Sequence, residues 1–132
     1  MNKIYEELTI VTVLYDSSEL INDLLKNLIN FEVIVVDNGN NEQILKKISN
    51  LKNVKVITQK KNLGYGRAIN FAFEKIKSKY FFVLNPDLVI SEKSIYDLYT
   101  LITKNPDAGI VAPITRPDED FYGLFPEKST KK

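Results

Sequence analysis

The chain has 132 residues, and with 44% of them hydrophobic and 27% charged it has the composition of one folded domain rather than of a disordered segment. Its 18 Lys and Arg nearly cancel its 17 Asp and Glu, so the net charge of +1 supports neither broad nucleic-acid binding nor an acidic tail. It contains no Cys and no His, which excludes disulfide scaffolds, thiol catalysis, zinc sites built on those residues and the commonest general base. Chemistry is left to carboxylates, amides, hydroxyls, Lys, Arg or a hard cation.

Residues 1–7 are polar and charged, and the apolar run 8–14 is far short of the roughly 20 residues a membrane-spanning helix needs. No signal peptide is recognised, so the expected location is cytoplasmic, with peripheral attachment to the inner face of the membrane through a partner kept open. Residues 8–14 are rich in Thr and β-branched residues and read as a first strand. Ser17 and Ser18 then offer caps to a helix carrying Leu20, Ile21, Leu24, Leu25, Leu28 and Ile29 on one face. A second strand is expected over 31–36, followed by a helix capped at Asn41 with Ile44, Leu45, Ile48 and Leu51. A third strand over 54–57 leads to a helix with Ala68, Ile69, Ala72, Phe73 and Ile76. A fourth over 80–84 precedes a helix beginning near Ser91, with Ile95, Leu98, Tyr99 and Ile102, ended by Pro106 and Gly109. A fifth strand is expected over 109–112. Residues 115–132 hold Pro117, Gly123, Pro126 and a Lys-rich end, and are expected to be irregular, leaving 1–114 as the domain.

Strands alternating with helices imply an α/β fold, a doubly wound and mostly parallel sheet with helices on both faces. Such sheets bind ligands at the carboxyl ends of their strands, near the reversal of strand order. Four loops lie there: 15–18, 37–41, 59–67 and 85–88. In the first, Tyr15 and Asp16 either cap a helix and cover the sheet edge or contact a nucleotide base or ribose. In the second, Asp37 ends a strand that should be buried. Its carboxylate needs partners, which an Asx-turn through Asn38-Gly39 supplies, or a base N–H or ribose hydroxyl. The third contains Gly64, Gly66 and Arg67 at a helix start, a place that suits a phosphate, although its spacing matches neither a Walker loop nor the dinucleotide fingerprint. The fourth presents Asn85-Pro86-Asp87, two oxygen-bearing side chains two residues apart on a stiffened turn. That pattern suits a hard divalent cation; alternatively Asp87 caps the following helix.

The motifs T-V-L-Y-D, I-V-V-D-N-G-N, N-L-G-Y-G-R-A-I-N, F-F-V-L-N-P-D and G-I-V-A-P, in this order, resemble the nucleotide-binding half of a family 2 glycosyltransferase of the GT-A type, especially its rhamnosyltransferase-like members. The resemblance covers residues 8–114. It implies a nucleotide-diphosphate sugar as donor, Mg²⁺ or Mn²⁺ as cofactor, and a glycan or lipid-linked acceptor, the setting of polysaccharide biosynthesis. It puts Tyr15, Asp37 and Asn38 at the nucleoside and Gly64 to Arg67 beside the nucleotide. Asn85 and Asp87 fall on the D-x-D metal motif, with Asn85 in place of the first Asp and Asp87 as the ligand of the cation bridging the diphosphate. It also implies that similar full-length enzymes continue past Pro113 with an acceptor-binding half and a catalytic carboxylate. Asp118, Glu119 and Asp120 match no such motif, and no catalytic base is assigned. The expectation is therefore a donor-binding half, or alternatively a truncated, non-catalytic relative acting as a binding or assembly module. Apolar surface left where the second half would dock favours self-association. A receiver-type signalling domain shares the length and alternation, but Thr58-Gln59 and Ala112-Pro113 stand where it needs a phospho-accepting Asp and a Lys.

Overall fold

A computed structural model describes residues 3–15, 20–39 and 42–113. In order these form α1 (Ile4–Glu7), β1 (Leu8–Leu14), α2 (Ile21–Lys26), β2 (Glu32–Asp37), α3 (Glu42–Ile48), β3 (Val54–Thr58), α4 (Tyr65–Phe73), β4 (Tyr80–Leu84) and α5 (Glu92–Lys104). The four strands make one parallel sheet in the order β3-β2-β1-β4. Ser17, Ser18, Asn41 and the segment 115–132 lie outside the described residues.

β1 is buried along all seven residues, because it has a strand on either side and helices on both faces. Alternation along the strands divides the core in two. On one face Ile10, Leu14, Val33 and Val35 meet Ile21, Leu24, Leu25, Phe31, Ile48 and Ile95. On the other, Val11, Val13, Ile34 and Val36 meet Ala68 and Ala72 of α4. The alanines let that helix lie close to the sheet, and the doubly wound architecture follows.

The helices mostly keep the expected faces but shift their ends. α2 stops at Lys26, so Leu28 is buried in the following turn while Ile29 is exposed. α4 begins at Tyr65, three residues ahead of Ala68. α5 starts as expected beneath Ser91, whose hydroxyl accepts from the Ser94 amide at 3.1 Å. It ends before Pro106, which disfavours helical backbone at Asn105.

Two departures are larger. The expected fifth strand over 109–112 is not formed: these residues make no ladder with β4, and a cavity of about 370 Å³ lies between them, β4 and α5. Continuous apolar sequence cannot tell a paired strand from a segment that flanks the sheet at a distance. The second departure is α1, which charged flanking residues conceal. Ile4 enters the core, and two crossed hydrogen bonds tie the helix to α5, Tyr5 to Glu92 and Tyr99 to Glu7, the latter at 2.7 Å. No helix among the described residues is long and apolar enough to cross a membrane.

Two stability effects are expected. The Thr12 hydroxyl is buried in β1 with no hydrogen bond among the described residues. Thr12→Val keeps the shape and removes the desolvated group, so it should stabilise the fold by about 1 kcal/mol in urea denaturation. Burial and the Glu7 carboxylate push the Tyr99 phenol up to about 12. A phenol whose folded pKa is raised holds its proton more tightly when folded. Its contribution is complete below pH 10 and lost as pH rises from about 10 to 12. Tyr99→Phe should flatten that part of an alkaline stability profile.

Candidate functional site

Every residue expected at the site lies at or beyond the carboxyl ends of the strands or at the start of α4. β2 carries four consecutive buried residues from Val33 to Val36 and then Asp37, itself 2% exposed. The Asp37 Oδ1 accepts from the Gly39 amide at 3.0 Å, so the Asx-turn expected as the local explanation is present. The backbone ladder continues past the strand ends, with the Asn38 amide on Leu14 and the Gln59 amide on Asp37. Leu14, Asp37 and Thr58 are level across β1, β2 and β3, so Tyr15, Asn38 and Gln59 stand in the next row, just past the strand ends. Tyr15 follows Leu14 directly and is 59% exposed, at the mouth of this row.

Alternation turns Asn38 and Gln59 toward the α4 face, and both are buried. The Asn38 Nδ2 donates to the Gly64 carbonyl at 3.4 Å. Its Oδ1, and the Nε2 of Gln59, have no hydrogen bond among the described residues. Gln59 is a residue that sequence reasoning passes over. It sits inside the polar stretch Thr58-Gln59-Lys60-Lys61, which gives no local signal of burial.

The start of α4 is fixed by the backbone. Gly64 takes a φ of 78°, its amide donates to the Asn62 Oδ1 at 2.8 Å, and its carbonyl opens the helical ladder by accepting from the Ala68 amide. Side chains rarely adopt that φ, which explains the glycine. The first turn of α4 contains no acidic residue and does contain Arg67, exposed and without an ion pair among the described residues. Arg67 therefore adds to the positive end of the helix dipole instead of opposing it.

At the end of β4, Leu84 is buried while Asn85 and Asp87 are exposed, and the Leu88 amide closes the turn on the Asn85 carbonyl at 3.2 Å. Asp87 does not cap the next helix, since Ser91 does so. That removes the local explanation for its carboxylate. The Asn85 Oδ1 accepts from the Tyr65 hydroxyl at 3.0 Å, a contact linking the start of α4 to the end of β4. Burial raises the Tyr65 pKa above its ordinary value.

Because β1 lies between β2 and β4, the strand ends bearing Asp37 and Asp87 are two strand spacings apart, about 10 Å. Strand order reverses between β1 and β4, where doubly wound sheets form their ligand crevice. As a cation site the loop offers one carboxylate and one amide oxygen; no group of three or more His, Cys, Asp or Glu suited to a metal is found among the described residues. Such a pair fits a hard cation that takes its remaining oxygens from phosphate and water.

The chain matches the glycosyl transferase family 2 over residues 9–130. It belongs to that family. The match is to the family, not to its rhamnosyltransferase-like members. Among curated proteins, the chain is 30% identical over 125 residues to a teichoic acid poly(glycerol phosphate) polymerase of Staphylococcus epidermidis, covering 86% of this chain and 16% of the relative. It is 29% identical over 113 residues to a low-salt glycan biosynthesis hexosyltransferase of Haloferax volcanii, covering 82% and 36%. An uncharacterized glycosyltransferase of Haemophilus influenzae is 26% identical over 106 residues, covering 74% and 33%. The chain thus spans about a sixth to a third of the length of these relatives.

The two glycines of the α4 turn should respond oppositely to alanine. At Gly64 a Cβ meets no atom within 4 Å, so the cost is conformational alone, about 1 kcal/mol. At Gly66, helical and equally open, alanine should stabilise by about 0.5–1 kcal/mol. Thermal melts of G64A and G66A check both signs.

Proposed function

We propose that this chain is the donor-binding part of a glycosyltransferase, which holds a nucleoside-diphosphate sugar with Mg²⁺ or Mn²⁺ for transfer to the hydroxyl of a glycan or other polymer acceptor. The observation carrying this reading is the pair of carboxylates Asp37 and Asp87 on either side of β1, at the reversal of strand order, in a chain of family 2. The separation of the two strand ends accommodates a nucleoside at one and a diphosphate at the other.

Each part of the site has a role in this reading. Asp37 accepts hydrogen bonds from the base or ribose, with Asn38 beside it and Tyr15 covering the nucleoside. Gly64 brings backbone close to the ligand, and Arg67 with the α4 N-terminus counters phosphate charge. Asp87, with Asn85 alongside, would hold the cation, which would supply charge neutralisation of the leaving diphosphate. In the transfer, the acceptor hydroxyl oxygen forms a bond to the anomeric carbon, the bond from that carbon to the phosphate oxygen breaks, the diphosphate leaves with the electron pair, and the hydroxyl proton passes to a general base, a role to which no residue of this chain is assigned. The names of the teichoic acid polymerase and the hexosyltransferase support a polymer or glycan acceptor.

Calorimetry with UDP, dTDP and GDP, each with and without Mn²⁺, tests the reading. At least one should bind, at least tenfold more tightly with Mn²⁺, and Asp87→Ala should abolish that difference while leaving the melting temperature unchanged. No Mn²⁺-dependent binding to any of the three by folded protein overturns the proposal.

A further inference from the structure

Charge is spread unevenly along the chain. Residues 43–73 hold six Lys and one Arg and no Asp or Glu, while residues 1–42 hold eight Asp or Glu against two Lys. The net charge of +1 therefore conceals a basic segment beside an acidic one. Four of the lysines meet at one corner of the sheet. Ile44, Leu45 and Ile48 of α3 share a core layer with Val54 and Val56 of β3, and only residues 49–53 connect the two elements. The last turn of α3, with Lys46 and Lys47, thus lies beside the turn holding Lys52 and the start of β3, with Lys55. All four are exposed, and none has an ion pair among the described residues.

Two apolar side chains stand at the same corner. Ile29, 71% exposed, is in the turn before β2, and Leu51, 42% exposed, is in the turn before β3. The Asn53 Nδ2 donates to the Leu28 and Phe31 carbonyls, each at 3.0 Å, and the Asn53 carbonyl accepts from the Val33 amide at 2.8 Å, so the two turns are held together. Glu32 and Glu42, the first residues of β2 and α3, border the corner. Lys46 and Lys47 suit the negative end of α3, and Lys55 deters pairing at the free edge of β3. Neither use calls for exposed aliphatic side chains among the lysines. Nucleic acids are held by Arg forks and stacking aromatics, and residues 42–61 contain no Arg, Phe, Tyr or Trp. Flexible ammonium groups around aliphatic side chains fit a surface that is anionic at its headgroups and apolar just beneath them.

We propose that the corner formed by the end of α3, the start of β3 and the turn before β2 is a docking face for an anionic lipid bilayer. Lys46, Lys47, Lys52 and Lys55 meet the headgroups, and Ile29 and Leu51 reach the acyl boundary. The corner lies at the amino ends of β2 and β3, so a docked chain keeps the carboxyl ends of the strands clear. The attachment is reversible and weakens with salt. It stands independently of what the carboxyl-end site binds.

The experiment is co-sedimentation of the full chain with vesicles of phosphatidylcholine, alone or with about a third phosphatidylglycerol, each variant being checked for folding by its thermal melt. The chain should bind the anionic vesicles and not the neutral ones, and high salt should release it. Lys46→Gln, Lys52→Gln and Lys55→Gln together should weaken binding about a hundredfold, near fivefold for each charge. Lys75→Gln, Lys77→Gln and Lys104→Gln remove as much charge from exposed positions elsewhere and should change binding less than about threefold. Ile29→Ala with Leu51→Ala should weaken it about tenfold, and Ile29→Ala alone should give part of that loss. No binding to anionic vesicles, equal losses from the two lysine triples, or full retention of binding by the Ile29→Ala, Leu51→Ala variant each overturns the proposal. Inorganic polyphosphate binding as tightly as the vesicles overturns it too, by assigning the corner to a soluble polyanion.

Discussion

The burial of β1 on every side is the constraint from which the rest of the molecule follows. A parallel strand with neighbours on both edges and helices on both faces can expose only its ends. Chain order β1, β2, β3 on one side and then β4 on the other makes the connections diverge at the carboxyl end of β1. Doubly wound sheets place their ligands where connections diverge, and the ends of β1, β2 and β4 stand there at spacings that the hydrogen-bond ladder sets. The site needs no loop to fold precisely by itself. It inherits its geometry from the sheet.

The same constraint governs what was legible in the sequence. The four strands and the faces of α2 to α5 could be read because burial imposes apolar periodicity, and periodicity is local. The fifth strand could not. Residues 109–112 are as apolar as a strand, but whether they pair with β4 or stand off across a cavity depends on the fit of α5 against the sheet. α1 was hidden for the opposite reason. Its four residues are too few to show a period, and Tyr5 and Glu7 are held by partners some ninety positions away on α5.

Within the site, strand-end residues were legible and bridging residues were not. Asp37 and Asn85 directly follow apolar runs, with Asn38 and Asp87 one and two residues behind them, which marks all four as strand-end positions. Tyr65 lies among glycines in a stretch that reads as a turn, and its contact with Asn85 is twenty positions distant. Gln59 is similar: its burial comes from register with Asn38, not from its neighbours in sequence. Arg67 could be placed on α4, but it is exposed and has no ion pair among the described residues, which gives it a location and no fixed contact there. Residues held by the sheet can thus be read from sequence, while residues held by other side chains have to be seen in three dimensions.

The electrostatics of the crevice put a limit on what it can receive. Asp87 brings an exposed carboxylate to the end of β4 and Asp37 a buried one to the end of β2, against one arginine and the end of a nine-residue helix. Lys60 and Lys61 are exposed in the segment before α4, and their charge is screened over roughly 8 Å at physiological salt. A polyanion entering alone would meet like charge at Asp87 with little to offset it. A polyanion accompanied by a divalent cation reverses the sign at that point, turning the Asp87 carboxylate from an obstacle into a ligand. The absence of His and Cys from the sequence then has a physical complement: oxygen donors alone select hard cations, and hard cations are the ones that arrive already bound to phosphate.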